Sequence, residues 1–173
     1  MADTVNAKVS ISLKATYTKD IDLGDATDPI VKTKTHTLST LGAGAASYNV
    51  QWRDSRSIAA ATDDDLDLSG SLTDAFGATV AFARFKVLGI WSTNLNTADT
   101  HLKLGGGSNY VSTLFAAAGD ILLAPKSGGS LVIACDTATG YVVTAATADI
   151  LRITNASAGT IATYDVVILG ASS

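Results

Sequence analysis

The chain contains no glutamate. All 16 of its acidic residues are aspartate, glutamine occurs once, at Gln51, and methionine only at position 1. Glu, Gln and Met are good helix formers, whereas Asp competes for backbone hydrogen bonds and favours caps and turns. The shortage speaks against helical architecture. A single cysteine, Cys135, excludes an intrachain disulfide framework and a Cys-based zinc site. Set in Leu131-Val132-Ile133-Ala134-Cys135, it is expected to be a buried, inert thiol. Charge is also scarce, at 16% of residues against about 25% in ordinary globular domains. A dissolved monomer normally keeps its apolar patches small, so a surface this poor in charge is expected to be covered by neighbouring subunits. Positive charge is the scarcer sign. With a net charge of −4 and only Arg152 basic after Lys126, a direct nucleic-acid partner is not expected. Met1 to Asn6 is polar with no apolar h-region after it, and no run approaches the roughly 20 apolar residues of a membrane span. No membrane partner is expected, and the chain reads as made in a cytoplasm or assembled from there.

What is present favours strands. Hydrophobic residues make up 47% of 173 positions, which is material for one domain with a sizeable core. Thr and Val are plentiful, and both have stiff χ1 torsions that suit a pleated surface. From Lys8 to Thr18 the chain alternates, with Val9, Ile11, Leu13, Ala15 and Tyr17 on one face and Lys, Ser and Thr on the other. That period predicts a half-buried strand or an extended arm within residues 1–20. Asp20 to Pro29 carries four Asp, Gly24 and a proline, and predicts a loop. A second strand is expected from Ile30 to Leu38, with Lys32, Lys34 and His36 on one face, and a third from Tyr48 to Arg53. Asp54 to Asp67 reads as a long acidic loop, Ser71 to Phe76 as one capped helical turn, and Val80 to Trp91 as a central strand. Asn109 to Ala118 fits helix or strand. From Asp120 onward, short apolar runs about ten residues apart suggest a meander, and with it an all-β, single antiparallel β-sandwich, jelly-roll-like.

Candidate chemistry is thin. Asp63, Asp65 and Asp67 would project to one side of an extended segment and offer hard oxygens to calcium, but the turn glycine and distal Glu of a calcium loop are missing. A solvated acidic loop is the simpler reading, and no metal or other cofactor is assigned. Lys32, Lys34 and His36 form a stripe that can meet phosphate or an acidic surface, or simply block edge pairing; it gains weight if Lys8 and Lys14 join it in space. Only His36 and His101 can supply imidazole, and neither sits in a nucleophile motif. Any two of sixteen Asp can be nominated as a carboxylate pair, so that hypothesis carries no information. Gly42 to Ser47 resembles a phosphate loop only superficially, because a strand follows it. Asn155-Ala156-Ser157 fits a glycosylation sequon, without a secretory context. No catalytic residue is assigned. The interaction candidates are Val9, Ile11, Leu13 and Tyr17 on the arm, which lacks an adjacent hairpin partner on this reading, with Lys32 and Lys34.

A family resemblance enters through several segments. Asp67-Leu68-Ser69-Gly70-Ser71-Leu72-Thr73-Asp74-Ala75-Phe76-Gly77 and Phe82-Ala83-Arg84-Phe85-Lys86 resemble accessory structural proteins of tailed bacteriophages. So do Gly140 to Thr144, Ala148 to Asn155 and the closing Val167 to Gly170, so that the likeness spans roughly residues 60 to 170. It implies a capsid decoration, or cement, protein: a small, often trimeric β domain on the virion exterior that packs on the major capsid protein and has no catalytic residues. The competing expectation is a carbohydrate- or host-surface-binding module of a tail or fibre, with Trp52, Trp91, Tyr48 and Tyr110 as a stacking platform, although strand positions favour Trp52 and Trp91 as core. Two such rings exposed on one flat face would favour it. A hydrolase would require His36 or His101 in a cleft beside a Ser or Asp.

Overall fold

The structure is a computed structural model that describes residues 4–22, 24–93, 101–119, 121–126 and 128–173, with backbone only at 101 and 121–126. It is all-β, with several antiparallel sheets and no helix among the described residues. In chain order the strands are β1 (Ala7–Ile21), β2 (Gly24–Leu38), β3 (Thr40–Leu41), β4 (Ser47–Tyr48), β5 (Val50–Ile58), β6 (Asp63–Asp67), β7 (Leu72–Thr73) and β8 (Thr79–Val80). They continue as β9 (Arg84–Ser92), β10 (His101–Gly105), β11 (Ile121–Lys126), β12 (Ser130–Ala134), β13 (Tyr141–Val142), β14 (Ile150–Asn155) and β15 (Ala162–Ala171).

Two sheets make the body, one in the order β12-β9-β15-β5 with β13 also on β9, the other in the order β11-β10-β14-β6. Their pairings are nested. β5 pairs with β15, β6 with β14, β9 with β12 and β10 with β11, all antiparallel. The first half of the body therefore pairs with the second half in reverse order. Among these eight strands each step along the chain changes sheet, except from β10 to β11. The expected meander is thus corrected: strands adjacent in sequence mostly lie in different sheets, because each must put its apolar face on a shared core.

That core draws on both sheets. Trp52, Phe85, Leu88, Ile90, Tyr164, Val166 and Ile168 of the first join Leu66, Leu102, Leu104, Leu151 and Ile153 of the second in one buried cluster. Full burial of each such side chain contributes about 1.5–3 kcal/mol, so strand alternation is held by many small terms. β15 shows it plainly, every second residue from Ala162 to Gly170 being buried. β9 is central, as its apolar run predicts, but it begins at Arg84, with Val80 in β8, and it is buried on both faces from Phe85 to Ile90. Its outer face is covered by a second cluster, in which Leu38, Tyr48 and Val87 pack with Val5, Ala7, Val9, Ala134 and Leu169.

Four local expectations are corrected. Asp20 to Pro29 is not a loop: β1 and β2 form one hairpin, in register from Ala7↔Leu38 to Ile21↔Gly24. The chain reverses at Gly24, whose φ of +122° suits a glycine. The Asp residues are tolerated because from Ser10 to Thr35 the described hairpin residues are exposed, so no charge is desolvated. The arm therefore has its partner immediately next in sequence. The acidic stretch after Asp54 is also strand, in β5 and β6, because Arg56 and Arg152 face its carboxylates. Ser71 to Phe76 forms β7 and a turn in place of a helical turn; Asp74 Oδ1 accepts from the N–H groups of Phe76 (2.8 Å) and Ala78 (2.9 Å). Asn109 to Ala118, finally, forms neither helix nor strand: Tyr110 makes an isolated bridge to Ile150, and a turn follows, closed by Leu114 and Phe115 N–H donation to the Val111 carbonyl.

Candidate functional site

The hairpin collects all six predicted interaction residues on one face. Residues paired across antiparallel strands share a face, and the register sets Val9 opposite His36, Ile11 opposite Lys34 and Leu13 opposite Lys32, with Tyr17 two steps further on. At the root this face is partly buried: Val9 joins the second cluster. Beyond it nothing covers the face, and Ile11 is 46%, Leu13 60% and Tyr17 68% exposed. The opposite face is a hydroxyl ladder, with Ser10 to Thr35 at 3.2 Å and Ser12 to Thr33 at 3.1 Å. Lys8 and Lys14 lie on that hydroxyl face, opposite Thr37 and Val31, so they do not join Lys32 and Lys34. The lysine stripe is a pair, flanked by aliphatic side chains, which is not the geometry of a phosphate clamp.

His36 leaves the stripe as well. It is buried at the root, with Nδ1 3.6 Å from Asp136 Oδ2. It lines none of the described cavities. The side chain of His101 and the Asn94 to Thr100 segment lie outside the described residues.

The acidic strand β6 is engaged from both sides. Arg152 on β14 holds Asp65 through Nε and Nη2, both at 2.7 Å, and reaches Asp63 at 3.2 Å. On the other face Asp64 takes Arg56 Nε at 2.5 Å, Arg56 Nη2 at 2.8 Å and the Tyr164 hydroxyl at 2.8 Å. Burial pushes the Asp64 carboxyl pKa up, but hydrogen bonds from Arg56 and Tyr164 and the Arg56 charge outweigh it and hold it below the usual value. Burial beside that carboxylate raises the Tyr164 phenol well above its ordinary range. Asp67 instead accepts from the Ser69 N–H and hydroxyl, each at 2.8 Å. The alternation of Asp63, Asp65 and Asp67 is real, yet Arg152 already occupies the place a cation would take.

Two buried polar residues have roles that sequence reading did not find. Lys86 on β9 has no exposed surface, and its Nζ donates to the carbonyls of Ala43 (3.2 Å), Gly44 and Ser47 (2.8 Å). The Gly42 to Ser47 turn is thus pinned to the sheet by a buried ammonium, whose pKa desolvation lowers. A lysine inside an apolar run was the available signal. Asn155 is equally buried and donates to the carbonyls of Ile58, Ala59 and Thr160. Its side chain braces a turn and is not presented as a glycan acceptor.

Of the four rings proposed as a stacking platform, Trp52 and Tyr48 are buried and Tyr110 is half-buried. Trp91 alone is open, at 39%. Its indole lies across Gly89, where an added Cβ would fall 2.5 Å from Trp91 Cζ3. No two of the four rings are exposed together.

No protein-family model, curated protein or solved structure matches the chain.

Proposed function

We propose that this chain is a non-enzymatic structural subunit, a jelly-roll β-sandwich that decorates and stabilises a tailed-phage capsid through subunit packing. The observation that carries the reading is the hairpin face, which is buried at its root and continues outward as exposed Ile11, Leu13 and Tyr17. A two-stranded ribbon is marginally stable alone, and a long apolar edge is an association site. Such a face suits a partner that completes it.

The strand order supports the architectural part. Numbering the eight body strands by sequence, the sheets run sixth-third-eighth-first and fifth-fourth-seventh-second. This order is the one a rolled-up hairpin would give, and it supports a jelly-roll reading, an architecture of viral capsid and lectin domains. A subunit that binds only the assembled shell stabilises it by mass action, and obligate interfaces are apolar. A closed homo-oligomer, with a trimer favoured, would present Asp-bearing loops outward.

The test is light scattering over a dilution series, then immunogold labelling of virions from cells carrying the gene. A closed oligomer and gold on particle shells are expected. A stable monomer, or gold confined to tails or absent from particles, overturns the proposal.

A further inference from the structure

Resting on that subunit reading, we infer that the hairpin face docks in a furrow on the outer side of the β5–β15–β9 sheet of a second copy of this chain. The furrow is built from adjoining hollows. One of about 370 Å³ holds Trp91, Asp165 and Val167; one of about 320 Å³ shares Val167 and adds Leu169, Asp74 and Phe76. The second opens past Phe76 into a third, of about 690 Å³, that reaches Val5 beside the hairpin root. Phe76 is 89% exposed, the most open large apolar side chain described.

Three observations select a second copy. The first is charge. The docking face carries Lys32 and Lys34, with Lys19 and Asp28 towards its tip, and the furrow is lined by Asp54, Asp74 and Asp165 against one base, Arg53. The second is unmet pairing. Among the described residues neither Lys32 nor Lys34 has an acidic partner, and neither Asp165 nor Asp74 has a cationic one; Asp165 accepts only from the Ser55 hydroxyl, at 2.6 Å. Lysines flanking aliphatic side chains face aspartates flanking Trp91 and Phe76, so one contact satisfies both. The third is area. Ile11, Leu13, Tyr17, Ile21 and Ile30 are each about half exposed, which at roughly 200 Å² per large side chain gives on the order of 500 Å² per hairpin face. Because the furrow ends at the hairpin's own root, two copies can exchange hairpins reciprocally, which makes the closed oligomer a twofold dimer in place of the trimer favoured above. Two hairpins in two furrows bury about 2,000 Å², the size of a stable interface.

The experiment uses the full chain in two isotopic forms, mixed and treated with a carbodiimide that joins lysine to carboxylate, with sedimentation velocity alongside. Mixed-isotope cross-links from Lys32 or Lys34 to Asp165 or Asp74 are expected. L13D/Y17D should weaken self-association at least tenfold, as should F76D, whereas S12D on the hydroxyl face should not. A K32D/K34D chain and an Asp165→Lys chain should each associate poorly and recover when mixed. Cross-links confined to single chains overturn the inference. So does an oligomer unmoved by L13D/Y17D, which leaves the subunit reading standing and removes only the hairpin exchange.

Discussion

Replacing Asp64 with alanine tests whether β5, β6 and β15 are tied together by one polar knot at the edge of the core. The carboxylate accepts two contacts from Arg56 and one from the Tyr164 hydroxyl. Hydrogen bonds to a charged group contribute about 1.5–3 kcal/mol each, and an orphaned buried hydroxyl costs about 1–3 kcal/mol. The Arg56 share must be discounted, because its side chain is 30% exposed and keeps Asp54 at 2.9 Å. Tyr164 has no such reserve: it is wholly buried. The sum is about 3–5 kcal/mol, the usual cost of breaking a buried pair from one side. At about 2–4 °C per kcal/mol for a chain of this size, Tm should fall by roughly 6–20 °C in calorimetry. Tyr164→Phe should cost less, and the double variant should show coupling above about 1 kcal/mol. The pH dependence follows from the same geometry. The folded-state pKa of Asp64 lies below its unfolded value, so its stabilisation is complete above the unfolded carboxylate range near pH 4 and is lost as pH falls through the folded value. D64N should therefore flatten the acid limb of the stability curve. An Asp64→Ala cost under about 1 kcal/mol, or an unchanged acid limb in D64N, would refute the reasoning.

Three other outcomes are expected. Lys86→Met leaves the carbonyls of Ala43, Gly44 and Ser47 without their donor and should cost about 2–4 kcal/mol in denaturant titration; hydrogen exchange should quicken first at the Ala46 amide, which bonds to Asp136. Gly89→Ala must displace the Trp91 indole, so in a Trp52→Phe background emission should shift to the red, and an unshifted spectrum would mean the ring does not rest on Gly89. Calcium or a chelator should move Tm by less than about 1 °C, because Arg152 holds Asp63 and Asp65; a calcium-dependent rise of several degrees would assign β6 to metal binding instead.

The strands that sequence reading placed best are those whose burial is decided locally. β9, β12, β14 and β15 are apolar or alternating, and any register that hides Phe85, Leu88, Ile153 or Val166 makes them strands. The hairpin was half legible. Its first strand alternates cleanly, but the start of its second, Gly24 to Pro29, reads as punctuation; only pairing with Thr16 to Ile21 makes it a strand. The acidic strand β6 was hidden for a related reason. Three successive aspartates look solvated until Arg56 and Arg152, brought from elsewhere in the chain, supply the counter-charge. Lys86 is visible in the sequence as a charge inside an apolar run, but its role is not, because its partners are backbone carbonyls, which carry no residue signature.

By itself the sequence determined the class of structure. Without Glu and with Thr and Val abundant, local preference disfavours helix, and alternating or short apolar runs can bury themselves only as pleated strands. It also determined the alternation of the first strand from Val9 to Tyr17, though not the hairpin partner that strand finds next in sequence. Tertiary structure decided the nested pairing of β5 with β15 and β6 with β14, the neutralisation of Asp63 to Asp65, and the placing of Lys32 and Lys34 beside Leu13 and Ile11. Each of these joins residues far apart in the chain or across a turn; burying one shared core sets the register of the body strands, and the tight connection at Ile21↔Gly24 sets that of the exposed hairpin.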